Sequence, residues 1–148
     1  KPFSGVIISG APILLTQVNL QKYINLFKLI KTINVPILGI CFGHQMIGIL
    51  HGSKIHMGKL INRKEHIKII RKDVLFSNLE NYSSFREAHS EYITLPKNFF
   101  SLAKSDSCKN EAMKHKKKNI YGVQFHPEMS NNNGKKIFRN FLNLCSKK

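Results

Sequence analysis

The sequence predicts an α/β protein: a three-layer, mostly parallel open sheet with helices on both faces and antiparallel strands at its edge. Continuous apolar runs, which are typical of strands covered on both faces, occur near residues 5–9, 35–40 and 120–125. The first two runs are each followed by apolar residues at helical spacing, as in strand–helix–strand units of a parallel sheet. Shorter alternating stretches between residues 54 and 104 indicate antiparallel strands.

The first part of the chain predicts two strand–helix units. A strand over residues 5–9 is followed by a helix over residues 17–32, and Asn34 and Pro36 end that helix. The second strand covers residues 35–40. The second helix follows Cys41 and ends near Gly52.

The second part of the chain predicts shorter elements. We expect strands at 54–60, 65–71, 91–95, 99–104 and 120–125, a loop at 78–90, a turn at 131–134 and a final helix at 135–145. No internal repeat or linker interrupts this order. One domain over residues 1–148 is therefore expected, and the apolar fraction of 42% is sufficient for a core.

Cysteine use and hydropathy predict a cytoplasmic chain. No apolar stretch approaches the roughly 20 residues that cross a bilayer, and no secretory signal precedes the first strand. Cys41, Cys108 and Cys145 follow neither a disulfide pattern nor a metal-binding spacing. Reduced thiols are therefore expected, with Cys145 on the apolar side of the last helix.

The formal charge of +16 raises the question of a polyanionic partner. The basic residues are scattered apart from the run at 114–118, and no aromatic residues alternate with them to stack on bases. Nucleic-acid binding is therefore not favoured. An acidic protein partner, or a compositional bias toward lysine, explains the charge equally well.

Cys41 lies on a tight turn between a buried strand and a helix, with Gly39 and Gly43 on either side. Glycines permit the unusual dihedrals and the close helix–strand packing of such a turn, which resembles a hydrolase nucleophile elbow. The start of the helix would favour the reactive thiolate. The alternative is that Cys41 is a small buried residue, as free cysteines often are.

His126 and Glu128 provide a base and an orienting carboxylate. Pro127 favours extended geometry at the residue before it, and residues two apart in an extended segment project to the same side. The carboxylate can therefore fix one ring nitrogen in its protonated form and leave the other for a thiol. An exposed ion pair at the end of a strand is the simpler alternative. The cysteine elbow favours the catalytic interpretation.

Two segments, Gly-Ile-Cys-Phe-Gly-His-Gln at 39–45 and Gly-Val-Gln-Phe-His-Pro-Glu at 122–128, resemble the class I (triad-type) glutamine amidotransferases. Residues 111–115 and 120–122 are most similar to the GMP synthetase type within that family. The resemblance implies a flavodoxin-like fold. The family normally begins with one more strand and helix, so the chain is expected to lack that first unit.

The resemblance implies glutamine hydrolysis to glutamate and ammonia through a thioester on Cys41, with His126 as proton carrier and Glu128 as its orienter. It also implies an oxyanion hole made by the backbone N–H groups of Ala11 and Phe42. The residues that would contact glutamine are Gly10, Gly43, Gln45, His89 and Ser90. Ammonia would pass to an ATP-dependent synthetase subunit, with ATP and Mg²⁺ on that partner and no cofactor or metal in this chain.

Two departures from the family pattern leave alternatives open. Ala11 replaces the second glycine of the oxyanion loop and resists positive φ. Residues 87–91 replace the family's Ser-His-x-Asp, which leaves glutamine recognition and the subfamily open. The alternatives are an amidotransferase of another synthase, such as the anthranilate type, a stand-alone γ-glutamyl hydrolase, and a binding module with impaired catalysis.

Overall fold

The computed structural model describes residues 3–147, in which seven strands form one sheet. The strands are β1 (Val6–Ile8), β2 (Ile37–Ile40), β3 (Ile55–Ile69), β4 (Tyr82–Ile93), β5 (Phe99–Lys104), β6 (Ala112–His115) and β7 (Ile120–Val123). The α-helices are α1 (Leu20–Phe27), α2 (Phe42–Leu50) and α3 (Asn131–Ser146). Short 3₁₀ helices cover Lys28–Thr32, Val74–Phe76 and Pro127–Met129.

The sheet is mixed, with two parallel and four antiparallel strand pairings, in the order β1-β2-β7-β6-β5-β3-β4. β1, β2 and β7 run parallel, and each later neighbour runs antiparallel. The expected fold class is confirmed, with a larger antiparallel part than the sequence predicts. Because β2 and β7 are parallel and in register from Ile37–Ile120 to Ile40–Val123, the residues that follow both strands emerge at the same edge.

Helices cover both faces of the sheet, as expected. On one face Ile47 of α2 packs with Ile37 and Ile120. On the other face Ile137 and Phe141 of α3 pack with a second cluster, which includes Leu38, Tyr121 and Val123. The alternation of Ile37 and Leu38 between the two clusters explains why β2 is apolar at every position.

Two predictions in the middle of the chain are wrong. The strands expected at 54–60 and 65–71 are one strand, β3, with an irregularity in its pairing between Met57 and Ile61. The loop expected at 78–90 is most of β4. The period of two is present in β4, but three of its buried positions are Glu87, His89 and Glu91, so an apolar pattern could not reveal it.

The helix predictions are right in position and wrong at their ends. The helix expected at 17–32 starts at Leu20, where the side chain of Asn19 caps it, and changes to a 3₁₀ helix after Phe27. The last helix starts at Asn131 instead of residue 135. Three successive asparagines have low helix propensity, so tertiary packing decides the first turn of α3. Within residues 3–147 no helix is both long and apolar enough to cross a membrane.

Gly134 lets α3 approach the short helix that follows His126. A Cβ at this position would lie 1.7 Å from the carbonyl oxygen of Pro127. We expect Gly134→Ala to lower the free energy of unfolding by about 1–3 kcal/mol, because the clash is with backbone and cannot be relieved by a rotamer change. Urea denaturation measures this. Asn132→Ala, an exposed change in the same helical turn, is the matched control, and equal stabilities for the two variants would contradict the prediction.

Candidate active site

Cys41 occupies a sharp turn between β2 and α2. Its backbone has φ 51° and ψ −102°, a conformation that is strained for a residue with a side chain. Its N–H donates to the carbonyl of Val123 at 2.9 Å, which fixes the turn against β7. A strained residue held by its surroundings is often functional, and this geometry agrees with the predicted elbow.

The two glycines beside Cys41 let α2 pack against the sheet. A Cβ at Gly43 would lie 2.1 Å from the carbonyl oxygen of Ile8 in β1. A Cβ at Gly39 would lie 2.5 Å from the backbone of Gly43. Gly43 is therefore required by packing, and its predicted contact with glutamine stays a prediction.

The thiol of Cys41 is almost fully buried, at 8% exposure. Burial raises the pKa of the Cys41 thiol to about 12, and this outweighs the lowering by the N–H of Phe42. The side chain of Gln124 donates to Sγ at 3.6 Å, and Sγ lies 3.8 Å from the carbonyl oxygen of Ala88. The start of α2 favours the thiolate through the N–H of Phe42, as expected, but desolvation is the larger effect. Formation of the thiolate needs a base.

His126 and Glu128 are in contact as predicted. The carboxylate of Glu128 accepts from Nδ1 of His126 at 2.7 Å. The backbone N–H of His126 donates to the carbonyl of Arg86 at 2.8 Å, and the hydroxyl of Ser130 donates to the carbonyl of His126 at 2.6 Å. Nε2 of His126 is buried and makes no hydrogen bond within the described residues. With Nδ1 protonated toward the carboxylate, Nε2 is the nitrogen that can accept a proton.

Gly10 lies against both Cys41 and His126. A Cβ at Gly10 would be 3.0 Å from Cε1 of His126 and 3.6 Å from Cβ of Cys41. The two side chains therefore border the same small space, so the structure brings together a thiol, an imidazole and its carboxylate. This is the arrangement that acyl transfer through a covalent intermediate needs.

The loop after β1 avoids the strain expected of Ala11. Within the described residues, positive φ occurs at Cys41, Asn78, Asn131 and Gly52, so Ala11 has an ordinary backbone. The N–H of Phe42 lowers the pKa of the neighbouring Cys41 thiol. The oxyanion hole of Ala11 and Phe42 stays a prediction.

The predicted glutamine contacts other than Gly10 and Gly43 lie along β4 and α2. Gln45 is buried, and its amide donates to the carbonyl of Glu91 at 3.0 Å and to Gln124 at 3.3 Å. Both ring nitrogens of His89 bond to protein, to Glu87 at 2.7 Å and to the carbonyl of Glu91 at 3.1 Å. Ser90 is half-buried and, by strand alternation, points to the other side of β4. The side chains of His89 and Ser90 therefore lie on opposite sides of β4, and their predicted contact with glutamine stays a prediction.

His44 of α2 is fully buried, and its Nε2 contacts the carbonyl of Asn110 at 3.1 Å. Burial lowers the pKa of His44 to about 3, so it stays neutral. In residues 3–147, no cluster of three His, Cys, Asp or Glu side chains could hold a metal ion.

Glu91 is a functional residue that sequence reasoning missed. Its buried carboxylate accepts from the N–H of Leu15 at 2.7 Å, from the N–H of Thr16 at 2.8 Å and from the Thr16 hydroxyl. It therefore anchors the loop that begins at Gly10, which borders Cys41 and His126. The sequence did contain a signal: Glu91 is an even number of residues from Phe85 and from Ile93, so a charged residue shares one side of a strand with two apolar ones.

The chain belongs to the class I glutamine amidotransferases, since the family described as "Glutamine amidotransferase class-I" matches residues 1–145. Over 145 residues the chain is 41% identical to a glutamine-hydrolysing subunit of GMP synthase from Pyrococcus abyssi, and the match covers 96% of this chain and 76% of the relative. The corresponding subunit of Archaeoglobus fulgidus is 35% identical, over 99% of this chain and 79% of the relative. The resemblance to the family and to its GMP synthetase type is confirmed, and with it the class of enzyme.

Solved structures agree with this assignment. A candidate GMP synthase subunit from Thermoplasma acidophilum superposes with a TM-score of 0.87 at 32% identity, over 97% of this chain and 73% of that chain. A glutamine amidotransferase from Thermotoga maritima gives a TM-score of 0.71 at 19% identity over 95% of this chain and 63% of that chain, which supports the fold alone.

The anchoring of the loop by Glu91 can be tested by hydrogen exchange. Glu91→Gln replaces an acceptor oxygen by an NH₂ group, so one of its backbone donors loses its partner. Because a hydrogen bond to a charged group is worth about 1.5–3 kcal/mol, we expect the amides of Leu15 and Thr16 to exchange roughly tenfold faster or more. The exposed Glu80→Gln is the control. Unchanged exchange in Glu91→Gln would show that the loop is held by other contacts.

Proposed function

We propose that this chain is a glutaminase subunit that hydrolyses glutamine to glutamate and ammonia through Cys41, His126 and Glu128. The observation that supports this most directly is the space beside Gly10, bordered by the strained Cys41 and by an imidazole clamped at 2.7 Å to Glu128. Membership of the class I glutamine amidotransferases supports glutamine as the substrate.

In the proposed reaction Nε2 of His126 takes the proton of the Cys41 thiol as Sγ attacks the side-chain carboxamide of glutamine. The same proton then goes to the nitrogen as the C–N bond breaks, which releases ammonia and leaves a glutamyl thioester. His126 next activates a water that hydrolyses the thioester, and the thiol regains its proton. Because burial raises the pKa of the Cys41 thiol, the proposal has the proton pass to His126 as Sγ attacks.

The negative oxygen that forms on the substrate carbon during attack needs nearby donors. The N–H of Phe42 is beside Sγ, and the loop of Ala11 follows Gly10, which borders the same space. Each such donor is worth about 10²–10³ in rate when it is held in place. In this proposal Glu91 positions the loop, and Ala11 and Phe42 provide the donors.

Ammonia is proposed to pass to an ATP-dependent synthetase subunit that converts XMP to GMP, with ATP and Mg²⁺ bound by that partner. The relatives named as glutamine-hydrolysing subunits of GMP synthase support this acceptor. A sheltered route between the subunits is expected, because ammonia that reaches water at neutral pH is protonated and is no longer a nucleophile.

The nucleophile can be tested with a glutamine-analogue electrophile, followed by peptide mass spectrometry. We expect stoichiometric labelling at Cys41 that glutamine prevents and that Cys41→Ser abolishes. Cys145, a half-buried thiol remote in sequence from both motifs, is the internal control and should stay unlabelled at the same dose. An intact Cys41 after long exposure, alone and with the synthetase subunit, would favour a binding module over an enzyme.

The base and its orienter should differ in their effects on turnover. His126→Ala removes the proton carrier, so kcat for glutamine-dependent ammonia release should fall by about 10²–10⁴. Glu128→Ala alters only the orientation and tautomer of the ring, so a smaller loss is expected. The exposed His66→Ala is the control for loss of a histidine. Full ammonia release by His126→Ala would remove the proposed base, and equal losses in the two variants would contradict the ranking.

The acceptor can be tested by reconstitution. The chain is mixed with a purified ATP-dependent GMP synthetase subunit, glutamine, XMP, ATP and Mg²⁺. We expect GMP to form from glutamine, and Cys41→Ser to abolish this while leaving GMP formation from added ammonium intact. Ammonia release without GMP formation would support the glutaminase and exclude this acceptor.

A further inference from the structure

Three buried ionisable side chains, Glu87, His89 and Glu111, are neighbours close to Cys41. Oε1 of Glu87 lies 2.7 Å from Nε2 of His89, and the second carboxyl oxygen of Glu87 faces the carboxyl group of Glu111. The hydroxyl of Ser105 donates to the other oxygen of Glu111 at 2.5 Å. Both glutamates have no solvent exposure, and His89 is 8% exposed. We call Glu87, His89 and Glu111 the buried acid chain.

The hydrogen bonds of the buried acid chain fix how many protons it holds. Nδ1 of His89 contacts the carbonyl of Glu91, which only accepts, so Nδ1 carries a proton. The contact between Nε2 and Glu87 needs a second proton. The facing oxygens Glu87 Oε2 and Glu111 Oε1 have no other partner within the described residues, so they need a third. Three protons on one imidazole and two carboxyl groups make the buried acid chain electrically neutral.

The surroundings favour this neutral state. Burial raises the pKa of Glu87 to about 7, although the contact with Glu111 lowers it. Burial and the neighbouring charge of Glu87 raise the pKa of Glu111 well above its usual range, so Glu87 is the first of the two to ionise. Burial also lowers the pKa of His89. The other ionisable groups that face the buried acid chain are Arg63 and Glu65 on β3, paired at 2.9 Å, His44 on α2, and Cys41 and Cys108.

Each glutamate of the buried acid chain is joined through backbone to a group that touches the Cys41 thiol. Glu87 immediately precedes Ala88, whose carbonyl oxygen is 3.8 Å from Sγ. The carbonyl of Glu111 accepts from the N–H of Gln124 at 2.8 Å, and the side chain of Gln124 donates to Sγ. β4 and β6 are not neighbours in the sheet, so the contact between the two carboxyl groups ties these thiol partners together.

We propose that Glu87 and Glu111 are positioning residues that share a proton, hold the partners of the Cys41 thiol in place and keep negative charge away from it while it ionises. This proposal rests on the proposed role of Cys41 as nucleophile. When the buried acid chain loses one proton, Glu111 keeps the shared one and Glu87 becomes negative. This opposes the thiolate, since a negative charge on Glu87 raises the pKa of the Cys41 thiol. The pKa of the Cys41 thiol is therefore lower while the buried acid chain is neutral than after Glu87 has become negative.

The test is the rate of alkylation of Cys41 by iodoacetamide, resolved by peptide mass spectrometry, between about pH 5 and 9, a range that brackets the raised pKa of Glu87. Iodoacetamide reports on the thiolate without glutamine, so a failed glutaminase assay would not affect the result. We expect wild type and E87Q to agree at the acid end. At the alkaline end E87Q should react about tenfold faster, because one nearby unit charge is worth about one pKa unit.

E111Q should shift the profile along the pH axis. It replaces the carboxyl donor that lowers the pKa of Glu87 by a weaker amide donor, so Glu87 ionises at higher pH and the slowing of alkylation begins at higher pH than in wild type. A purely structural role would change both variants by the same factor at every pH, and that result would overturn the proposal. So would an E87Q profile parallel to wild type.

Controls separate these effects from loss of folding. D73N, another carboxylate-to-amide change at a hydrogen-bonded position, should leave the alkylation profile of Cys41 unchanged, because Asp73 bonds to Tyr121 and not to the buried acid chain. Thermal denaturation identifies variants that are unfolded under the assay conditions. If E87Q does not fold, the E111Q profile decides alone: a slowing that starts at the same pH as in wild type excludes the shared proton.

Discussion

The close approach of α2 to the sheet is the constraint on which the rest of the site depends. Gly43 meets the backbone of Ile8, and Gly39 meets the backbone of Gly43, at distances that leave no room for a side chain. Because the helix sits this close, the chain must turn sharply between β2 and α2. Cys41 adopts the strained backbone of that turn, with a positive φ. The hydrogen bond from its N–H to the carbonyl of Val123 holds this conformation in place.

The candidate site contains groups from both parts of the sheet: Cys41 and His126 follow parallel strands, and further groups come from the antiparallel strand β4. β4 provides the carbonyl of Arg86 to the N–H of His126, the carbonyl of Ala88 to the thiol, and the carboxylate of Glu91 to the loop after β1. These groups lie on one strand, so their spacing is fixed by the strand geometry. Several buried positions of β4 thus hold polar side chains in place of apolar ones, and their hydrogen bonds lie near Cys41.

Two opposing effects act on the thiol, and their sizes decide the outcome. A helix start stabilises a nearby negative charge by about 0.3–1 kcal/mol, and by up to about 2 kcal/mol in partly buried geometry. Removing a charge from water costs several kcal/mol. Burial therefore favours the protonated form of the Cys41 thiol, so attack by sulfur needs a base.

The sequence by itself determined the parallel core, the elbow at Cys41 and the pairing of His126 with Glu128, because each depends on neighbours in the chain or on a strong apolar pattern. The tertiary structure alone decided that β4 is a strand, that His44 is buried and that Glu91 holds the loop after β1. The physical reason is that a buried polar side chain is stable only with a partner, and these partners come from residues that the sequence does not place beside it: Asn110 for His44, and Leu15 and Thr16 for Glu91.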